Sequence, residues 1–593
     1  MINPLFLDEL KTELSEIAQI KVQKTRNQKL EMFREKLSAL VFLDPACGSG
    51  NFLTETYLSL RKLENESIAL QYQGQILMGE AINPIRVGIS QFYGIEINDF
   101  AVTVARTALW IAESQMLHAT EELINQNIEF LPLKSYPNIT EGNALRINWE
   151  EVVPKEKLTY IMGNPPFVGY SLQSKEQKAD MLSIYVDEKG KPYKTAGKID
   201  YVSAWYFKAS QLMKNTAIRT AFVSTNSITQ GEQVAGVWKP LYERFGIHID
   251  FAHRTFRWDS EASLKAHVHC VIVGFSSATN KAEKRLFDNG TDKLVKNISP
   301  YLVDSETVFI ETRREPLCDV PEMVRGSQPT DDGNFILTEE EKEEFLKAEP
   351  QAEKFIRPFM MGKDFIQRKP RYCLWLVGAN PTELKKCRKI LERVENVRKF
   401  RLASPKKATQ IKANTPTLFD AIIECESDYV AIPKVSSENR RYIPIEYLSK
   451  NIIPGDKLFT MQSASIYHFG VLTSNVHMAW MRAVCGRLEM RYSYSNTVVY
   501  NNFVWCNPTP EQKAKIEQTA QAILDARALF PDSSLADLYD ETTMPPELRK
   551  AHQANDKAVM QAYGFSIKMT ESECVAELMK MYQNMTENNR SQK

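Results

Sequence analysis

Residues 161–170, IMGNPPFVGY, hold the chain's most chemically suggestive arrangement: an apolar, strand-like approach ends in Asn164, Pro165, Pro166 and Phe167. Two consecutive prolines remove two backbone donors and fix φ at about −65°. A proline also drives the residue before it out of the helical region. The corner is therefore stiff, with the Asn164 side chain aimed outward. The Asn164 amide oxygen and the Pro165 carbonyl can together accept both hydrogens of an aromatic amine, which raises electron density on its nitrogen. Phe167 can stack on the ring that carries the amine. Such stacking contributes ~1–3 kcal/mol per base, which helps to offset the few kcal/mol needed to extrude a base from a duplex.

A second constellation, LDPACGSGNF, spans residues 43–52. After a buried strand, Gly48 and Gly50 let the backbone turn tightly and approach a ligand, and a helix starting near Asn51 points its N–H groups there. The loop has neither the GK[ST] of a phosphate loop nor the spacing of a dinucleotide fingerprint. Asp44 and Pro45 at the strand's end suit instead a zwitterionic amino-acid group. Glu96, in YGIEIN, ends the next strand, where an acid can accept both hydroxyls of a ribose. The separation from the glycine loop exceeds the usual ~20 residues, so residues 64–90 read as an insertion. Asn143, in EGNAL, follows a third strand, where a polar side chain can meet an adenine edge or simply close a turn.

These residues need elements to place them. The pattern gives strand–turn–helix over LVFLDPACGSGNFLTETYLSLRKL, strand QFYGIEIN with helix AVTVARTALWIAESQML, and strand LTYIMG before Asn164. Helix DYVSAWYFKASQLM, strand TAFVSTNSI and the pair IHIDFAHRTF/HVHCVIVGF follow. Strands alternating with helices imply an α/β fold with a mostly parallel sheet covered on both faces. The last pair is expected to form an antiparallel edge. Past residue ~310 the alternation stops, and residues 315–505 carry short strand-like pieces among prolines, tyrosines and basic residues. The tail reads as helices.

With 593 residues, several domains are expected. A composition of 43% hydrophobic and 25% charged residues excludes a largely disordered chain. Lys+Arg and Asp+Glu balance at 74 each, so net charge points to no partner. Its distribution is uneven: from Lys354 to Lys412 there are 17 Lys/Arg against 4 Asp/Glu, which is either a solvated helix face within KKCRKILERVENVRKF or a surface that follows phosphates. Nine scattered cysteines, without CxxC or metal-ligand spacing, fit a reducing cytoplasm and give no metal site. No apolar run approaches the ~18 residues of a membrane span, and the N-terminus lacks a signal-peptide layout.

DPACGSG followed by NPPF resembles the amino-group DNA methyltransferases that use S-adenosyl-L-methionine, in the gamma order of N6-adenine enzymes. Longer stretches resemble the MmeI-like (type IIL) restriction–modification proteins: PLFLDEL, FLDPACGSGNFL, QFYGIEI, GNPPFVG, DYVSAWY, KAHVHCVIVGF, MRYSYSNTVVYNNFVW and MPPELRKAHQANDKAV. Together they cover nearly the whole chain.

The resemblance implies a Rossmann-like class I methyltransferase sheet, an α+β target-recognition domain and a helical C-terminal region. Their expected bounds are 1–40 for an N-terminal helical segment, 41–314, 315–508 and 509–593. It implies that Asp44, Ala46, Gly48 and Gly50 line the methionine portion of S-adenosyl-L-methionine, with Pro45, Cys47, Asn51 and Phe52 completing the loop. Glu96 would hold the ribose, Ile97 would pack on the cofactor adenine, and Asn143 with Ala144 would meet its ring edge. Asn164, Pro165, Pro166 and Phe167 would form the catalytic loop acting on an adenine flipped from double-stranded DNA.

The segment Arg487–Tyr494 would enter a groove, with Glu489 and Arg491 reading base edges and Tyr492 and Tyr494 beside them. Arg suits guanine O6/N7, and Glu accepts from cytosine N4. A local Glu489–Arg491 ion pair is the plain alternative. Relatives carry an HYT-type cofactor motif just upstream of PLFLDEL and often an N-terminal nuclease, and this sequence starts immediately after the motif's place. Three readings fit this: the start is set too late, the gene is split, or the chain is a remnant. Under the split reading, the partner expected beside double-stranded DNA is a separate nuclease or N-terminal subunit of the same system. Two further readings stay open: N4-cytosine methylation, and a non-catalytic DNA specificity protein.

Overall fold

A computed structural model describes residues 1–72, 83–125, 128, 138–258, 268–277 and 283–591. The chain divides into two compact units, Met1–Phe309 and Ile310–Lys593.

The first unit is built on a nine-stranded sheet. Its strands are β1 (Phe42–Asp44), β2 (Phe92–Glu96), β3 (Asn138–Glu141), β4 (Tyr160–Gly163), β5 (Arg219–Thr225), β6 (Ile247–Trp258), β7 (Val268–Ser277), β8 (Lys284–Asp288) and β9 (Thr291–Val295). The spatial order is β3-β2-β1-β4-β5-β7-β6-β8-β9. Strands β1 to β5 run parallel, with Phe42 beside both Phe92 and Tyr160. β7 is antiparallel to β5 and to β6. Every residue of β1 and β4 is buried, as expected of parallel strands covered on both faces. The β6–β7 pair is antiparallel as expected, yet it is not an edge. β8 adds parallel to β6, and β9 pairs antiparallel with β8. KRLFD and TDKLV lack an apolar run because their outer positions face water: the first four residues of β9 are exposed.

Helices α1 (Asp8–Ala18), α2 (Gln23–Ala39), α3 (Asn51–Tyr72), α4 (Asp99–Ile124), α5 (Lys175–Ile184), α6 (Ser203–Met213) and α7 (Gly231–Phe245) surround the sheet. The segment 1–40, read from sequence as a helical piece of its own, belongs to the same core as the strands. Leu5, Phe6, Leu10, Leu14, Leu30, Phe33 and Leu37 are buried with Phe42, Phe92 and Tyr160. The Phe6 ring lies 5.2 Å from Phe42 and 5.0 Å from Tyr160, and Phe42 stacks on Phe92 at 5.1 Å. Aromatic contacts of this kind add ~0.5–1.5 kcal/mol each beyond area burial. Of the expected insertion 64–90, α3 runs on to Tyr72, and residues 73–82 lie outside the described residues.

The second unit carries three small sheets. One is ordered Val324–Arg325, Leu458–Gln462, Tyr429–Pro433, Glu446–Leu448. Another is Ile336–Leu337, Arg371–Leu374, Ile356–Met360, Ile453–Pro454. The third joins Val435–Ser436, Arg491–Ser493 and Gly486–Leu488. Arg401, fully buried, fans its guanidinium onto the carbonyls of Pro329, Thr330, Lys412, Thr415 and Leu418. It thus spends a rigid five-donor fork on tying loops together. Long helices at Pro510–Ala528, Pro546–Tyr563 and Glu571–Ser591 close the chain.

Candidate active site

The sheet brings the ends of β1, β2, β3 and β4 to one edge, the crevice outside the carboxyl ends of parallel strands where such folds bind ligands. Asp44 ends β1. Its side chain is fully buried, and Oδ1 accepts from the Ala46 N–H at 3.0 Å. The other oxygen, Oδ2, has no partner among the described residues. Burial, with the nearby Glu96 carboxylate adding to it and the Ala46 N–H opposing, pushes the Asp44 carboxyl up to about 7. A buried, unpartnered acid oxygen costs free energy unless a cation or donor reaches it.

The loop after Asp44 turns through Gly48 at φ +53° and Gly50 at φ +82°, left-handed conformations that favour glycine. A Cβ on Gly50 would also stand 3.0 Å from the Ala105 Cβ of α4. Pro45 gives its carbonyl to Trp205 Nε1 at 3.0 Å, and Cys47, buried, ties its N–H to the Ile95 carbonyl of β2 at 3.1 Å. Asn51 and Phe52 open α3. Glu96 accepts from the Gly48 N–H at 2.9 Å and from the Asn98 N–H at 3.0 Å, one backbone donor per oxygen. A carboxylate has about four acceptor positions, so capacity remains for two hydroxyls. Beside it, Ile97 and Phe100 stand 68% and 74% exposed, an unusual pair of apolar side chains to leave in water next to an acid.

Asn143 is engaged at both ends of its amide: Oδ1 accepts from the Leu145 N–H at 2.9 Å, and Nδ2 donates to Asp180 at 3.1 Å. The Ala144 carbonyl is taken by Trp149 Nε1 and the Lys208 ammonium, at 2.8 and 2.7 Å. The Ala144 N–H has no acceptor among the described residues.

β1 and β4 are neighbours, and this joins the two motifs. A Cβ on Gly163 would lie 2.4 Å from Asp44 Oδ1, so only glycine fits where the glycine-loop strand and the Asn164 strand meet. Directly beyond it Asn164 is exposed, Pro165 buried, Pro166 exposed and Phe167 half-buried. Among the described residues nothing donates to the Asn164 amide oxygen or to the Pro165 carbonyl. Both acceptors are free.

In the second unit, Arg487–Tyr494 forms a hairpin whose two-residue turn is Glu489–Met490. Glu489 and Arg491 are exposed and pair with each other at 2.9 Å. The tyrosines differ from the expectation of a surface role. Tyr494 is buried and bonds its hydroxyl to His477 at 2.9 Å, and Tyr492 is buried under the Arg487 guanidinium, 4.3 Å from its ring centroid. A hairpin with one face on a core alternates its side chains, and the tyrosines take the inner positions.

Phe100, Asp180, Asp200, Tyr201, Trp205 and Lys208 also belong to the site's surroundings. Asp200, Tyr201 and Trp205 lie in the stretch DYVSAWY, while nothing local in the sequence marks Phe100, Asp180 or Lys208.

A parallel sheet with an antiparallel seventh strand between β5 and β6, a glycine loop after β1, an acid ending β2 and Asn-Pro-Pro-Phe after β4 together define a class I methyltransferase fold. Family models match along the chain: the MmeI DNA-methyltransferase domain over residues 20–288, its target recognition domain over 304–507 and its C-terminal domain over 508–589. The solved structure of the type IIL restriction–modification enzyme MmeI in complex with DNA is 44% identical with a TM-score of 0.90, covering 99% of this chain and 77% of that one. DNA methyltransferase A of Bacillus subtilis (strain 168) is 39% identical over 590 residues. That alignment takes in 99% of this chain, which spans 65% of the length of that relative. The chain belongs to the MmeI-like (type IIL) restriction–modification family.

Proposed function

We propose that this chain is a site-specific DNA adenine N6-methyltransferase using S-adenosyl-L-methionine, within a restriction–modification system. The observation that carries the reading is the pair of free acceptors, Asn164 Oδ1 and the Pro165 carbonyl, set one residue beyond a glycine packed on Asp44. The pocket residues suit the cofactor. Asp44 Oδ2 is an orphaned acceptor for an ammonium group, Glu96 has capacity for ribose hydroxyls, and Ile97 with Phe100 offers an apolar platform for adenine. The unused Ala144 N–H offers a donor to a ring nitrogen.

Bound there, the cofactor supplies an electrophilic methyl group. Asn164 and Pro165 then accept the two hydrogens of the target amine and direct its lone pair at that methyl. Phe167 stacks on the extruded base. The amine nitrogen so held would take up the methyl group and give up one proton to solvent, so no strong base is required. The second unit supplies the target: Glu489 and Arg491 read base edges, and the Lys354–Lys412 surface holds phosphates.

Asn164→Ala tests the reading. Methyl transfer to DNA should fall by several orders of magnitude while DNA affinity stays within about twofold; retained transfer would sink it. Because the same two acceptors fit a cytosine amine, nucleoside analysis of the methylated product separates N6-adenine from N4-cytosine transfer. A specificity protein without catalysis would bind no radiolabelled S-adenosyl-L-methionine.

A further inference from the structure

Residues 200–208, DYVSAWYFK, touch the loops after β1, β3 and β4 of the candidate active site. Asp200 is buried, and its Oδ1 accepts from the Tyr170 N–H at 2.9 Å, while Oδ2 takes the Ser227 hydroxyl. Its own N–H donates to Gln233 at 3.0 Å. The next residue, Tyr201, donates its N–H to the Val168 carbonyl at 2.9 Å. Thus the segment just after Phe167 is held by two bonds, both from one dipeptide.

The Tyr201 side chain runs the other way. Its hydroxyl donates to Asp180 Oδ2 at 3.2 Å, and Asp180, buried on α5, also accepts from Asn143 Nδ2 at 3.1 Å and Arg146 Nε at 2.8 Å. Asp180 is the carboxylate that fixes the rotamer of Asn143 after β3. Trp205, one helical turn on, packs its ring 5.3 Å from Tyr201 and donates to Pro45 of the glycine loop. Lys208 gives its ammonium to the carbonyls of Ala144 and Ile147. Burial holds that ammonium down at about 8, a cost accepted for closing the same loop.

We propose that Asp200 and Tyr201 are positioning residues with separate duties: Asp200 sets the loop that carries Phe167, and Tyr201, through Asp180, sets Asn143 and the cofactor side of the pocket. The inference rests on the methyltransferase reading above and assigns two adjacent residues to two different steps. Removing the Tyr201 hydroxyl leaves Asp180 with two donors instead of three and frees Asn143 to rotate, which weakens cofactor binding without touching the target-base loop. Replacing Asp200 with its amide takes away an acceptor for Tyr170 or Ser227 and loosens 168–170, which slows transfer without touching the cofactor loops.

The test uses Tyr201→Phe, Asp200→Asn and the milder Ser227→Ala in the full chain. Calorimetry gives the S-adenosyl-L-methionine Kd, single-turnover methylation gives the transfer rate at saturating cofactor, and amide exchange reports on 168–172. Tyr201→Phe should raise the Kd by roughly five- to tenfold with the transfer rate within about twofold, the size of one ordinary hydrogen bond passed on to the cofactor side of the pocket. Asp200→Asn should cut the transfer rate by about tenfold or more, speed exchange at Tyr170 and leave the Kd within about twofold. Ser227→Ala should follow it in the same direction with a smaller effect, which keeps the question open to answer if Asp200→Asn folds poorly. Equal losses of Kd and rate in each variant, tracking a lowered melting temperature, would overturn the division of duties. If the unaltered protein binds no cofactor, the methyltransferase reading falls first and this inference with it; if it binds and transfers but the variants do not split, only this inference falls.

Discussion

Asp44 should make cofactor binding depend on pH in a direction opposite to the stability of the free protein. The carboxyl is fully buried with one oxygen unpartnered, and its pKa stands near 7 against 3.8 for an ordinary aspartate. In the free folded state it therefore holds its proton over a range where the unfolded chain has lost it. By linkage, the stability this group contributes is complete below the unfolded value and drains away as pH rises through 7. An ammonium group at Oδ2 reverses the preference, because only the carboxylate pairs with it. Below the free-state pKa, binding must expel a proton, and affinity falls by a factor of about 1 + 10^(7−pH): roughly elevenfold near pH 6 and about a hundredfold near pH 5.

Two calorimetric measurements check this. Titration of S-adenosyl-L-methionine across pH ~5.5 to 7.5 should show Kd tightening by about tenfold per unit at the acid end and levelling above 7. Repeating it in buffers of different ionisation enthalpy should count nearly one proton released near pH 6 and none near pH 8. Asp44→Asn, which keeps the shape and removes the charge, should bind weakly at every pH with no slope. A flat Kd in the unaltered protein would refute the assignment, and so would an unchanged slope in Asp44→Asn.

Three further outcomes follow from the geometry. Gly163→Ala would drive a Cβ to 2.4 Å from Asp44 Oδ1, so the two strands must part; melting temperature should fall, and cofactor binding should be lost together with transfer. Lys399, Lys406 and Lys407 are exposed and have no ion pair among the described residues. If they meet phosphates, replacing all three by Gln should flatten the log Kd–log salt slope for DNA by roughly 2–3, and an unchanged slope would make this a merely solvated face. Glu489→Gly should leave the hairpin at least as stable, since φ is +60° there and glycine takes that conformation freely, while selectivity among DNA sequences is lost in a footprinting or methylation-site assay.

The parallel core was readable because strands covered on both faces are short apolar runs, and because glycine and proline mark where those runs end. Asp44, Glu96 and Asn164 could be placed at strand ends from sequence for the same reason: Asp44 and Glu96 are the acids that end β1 and β2, and Asn164 directly follows β4. Asp180 and Asp200 could not, since their partners lie 37 and 30 residues away along the chain, at Asn143 and Tyr170. Nothing local distinguishes a buried acid with three donors from a solvated one. The opening helices misled in another way: α2 is charged along most of its surface, so the burial of Leu30, Phe33 and Leu37 against the strands shows only once the sheet exists. Only the family resemblance places Tyr492 and Tyr494 among DNA-contacting residues; strand alternation beside the exposed Arg491 turns both inward.

The Glu489–Arg491 pair fits both meanings weighed for it, and the energetics show why they do not compete. The two side chains are 72% and 46% exposed, so their attraction across 2.9 Å is worth at most about 1 kcal/mol. A good bidentate contact to a base edge discriminates by ~1–3 kcal/mol. Under the proposed base-reading role, exchanging the first for the second would cost little, and the pair would serve as a resting state in which neither charge is left alone. The backbone points the same way. A glutamate at φ +60° in a two-residue turn holds a conformation that non-glycine residues rarely adopt, and such strain persists where the side chain has a use that glycine could not fulfil. An ion pair needed only for stability would gain nothing from that position, because a glycine turn would relieve the strain and forfeit less than it released.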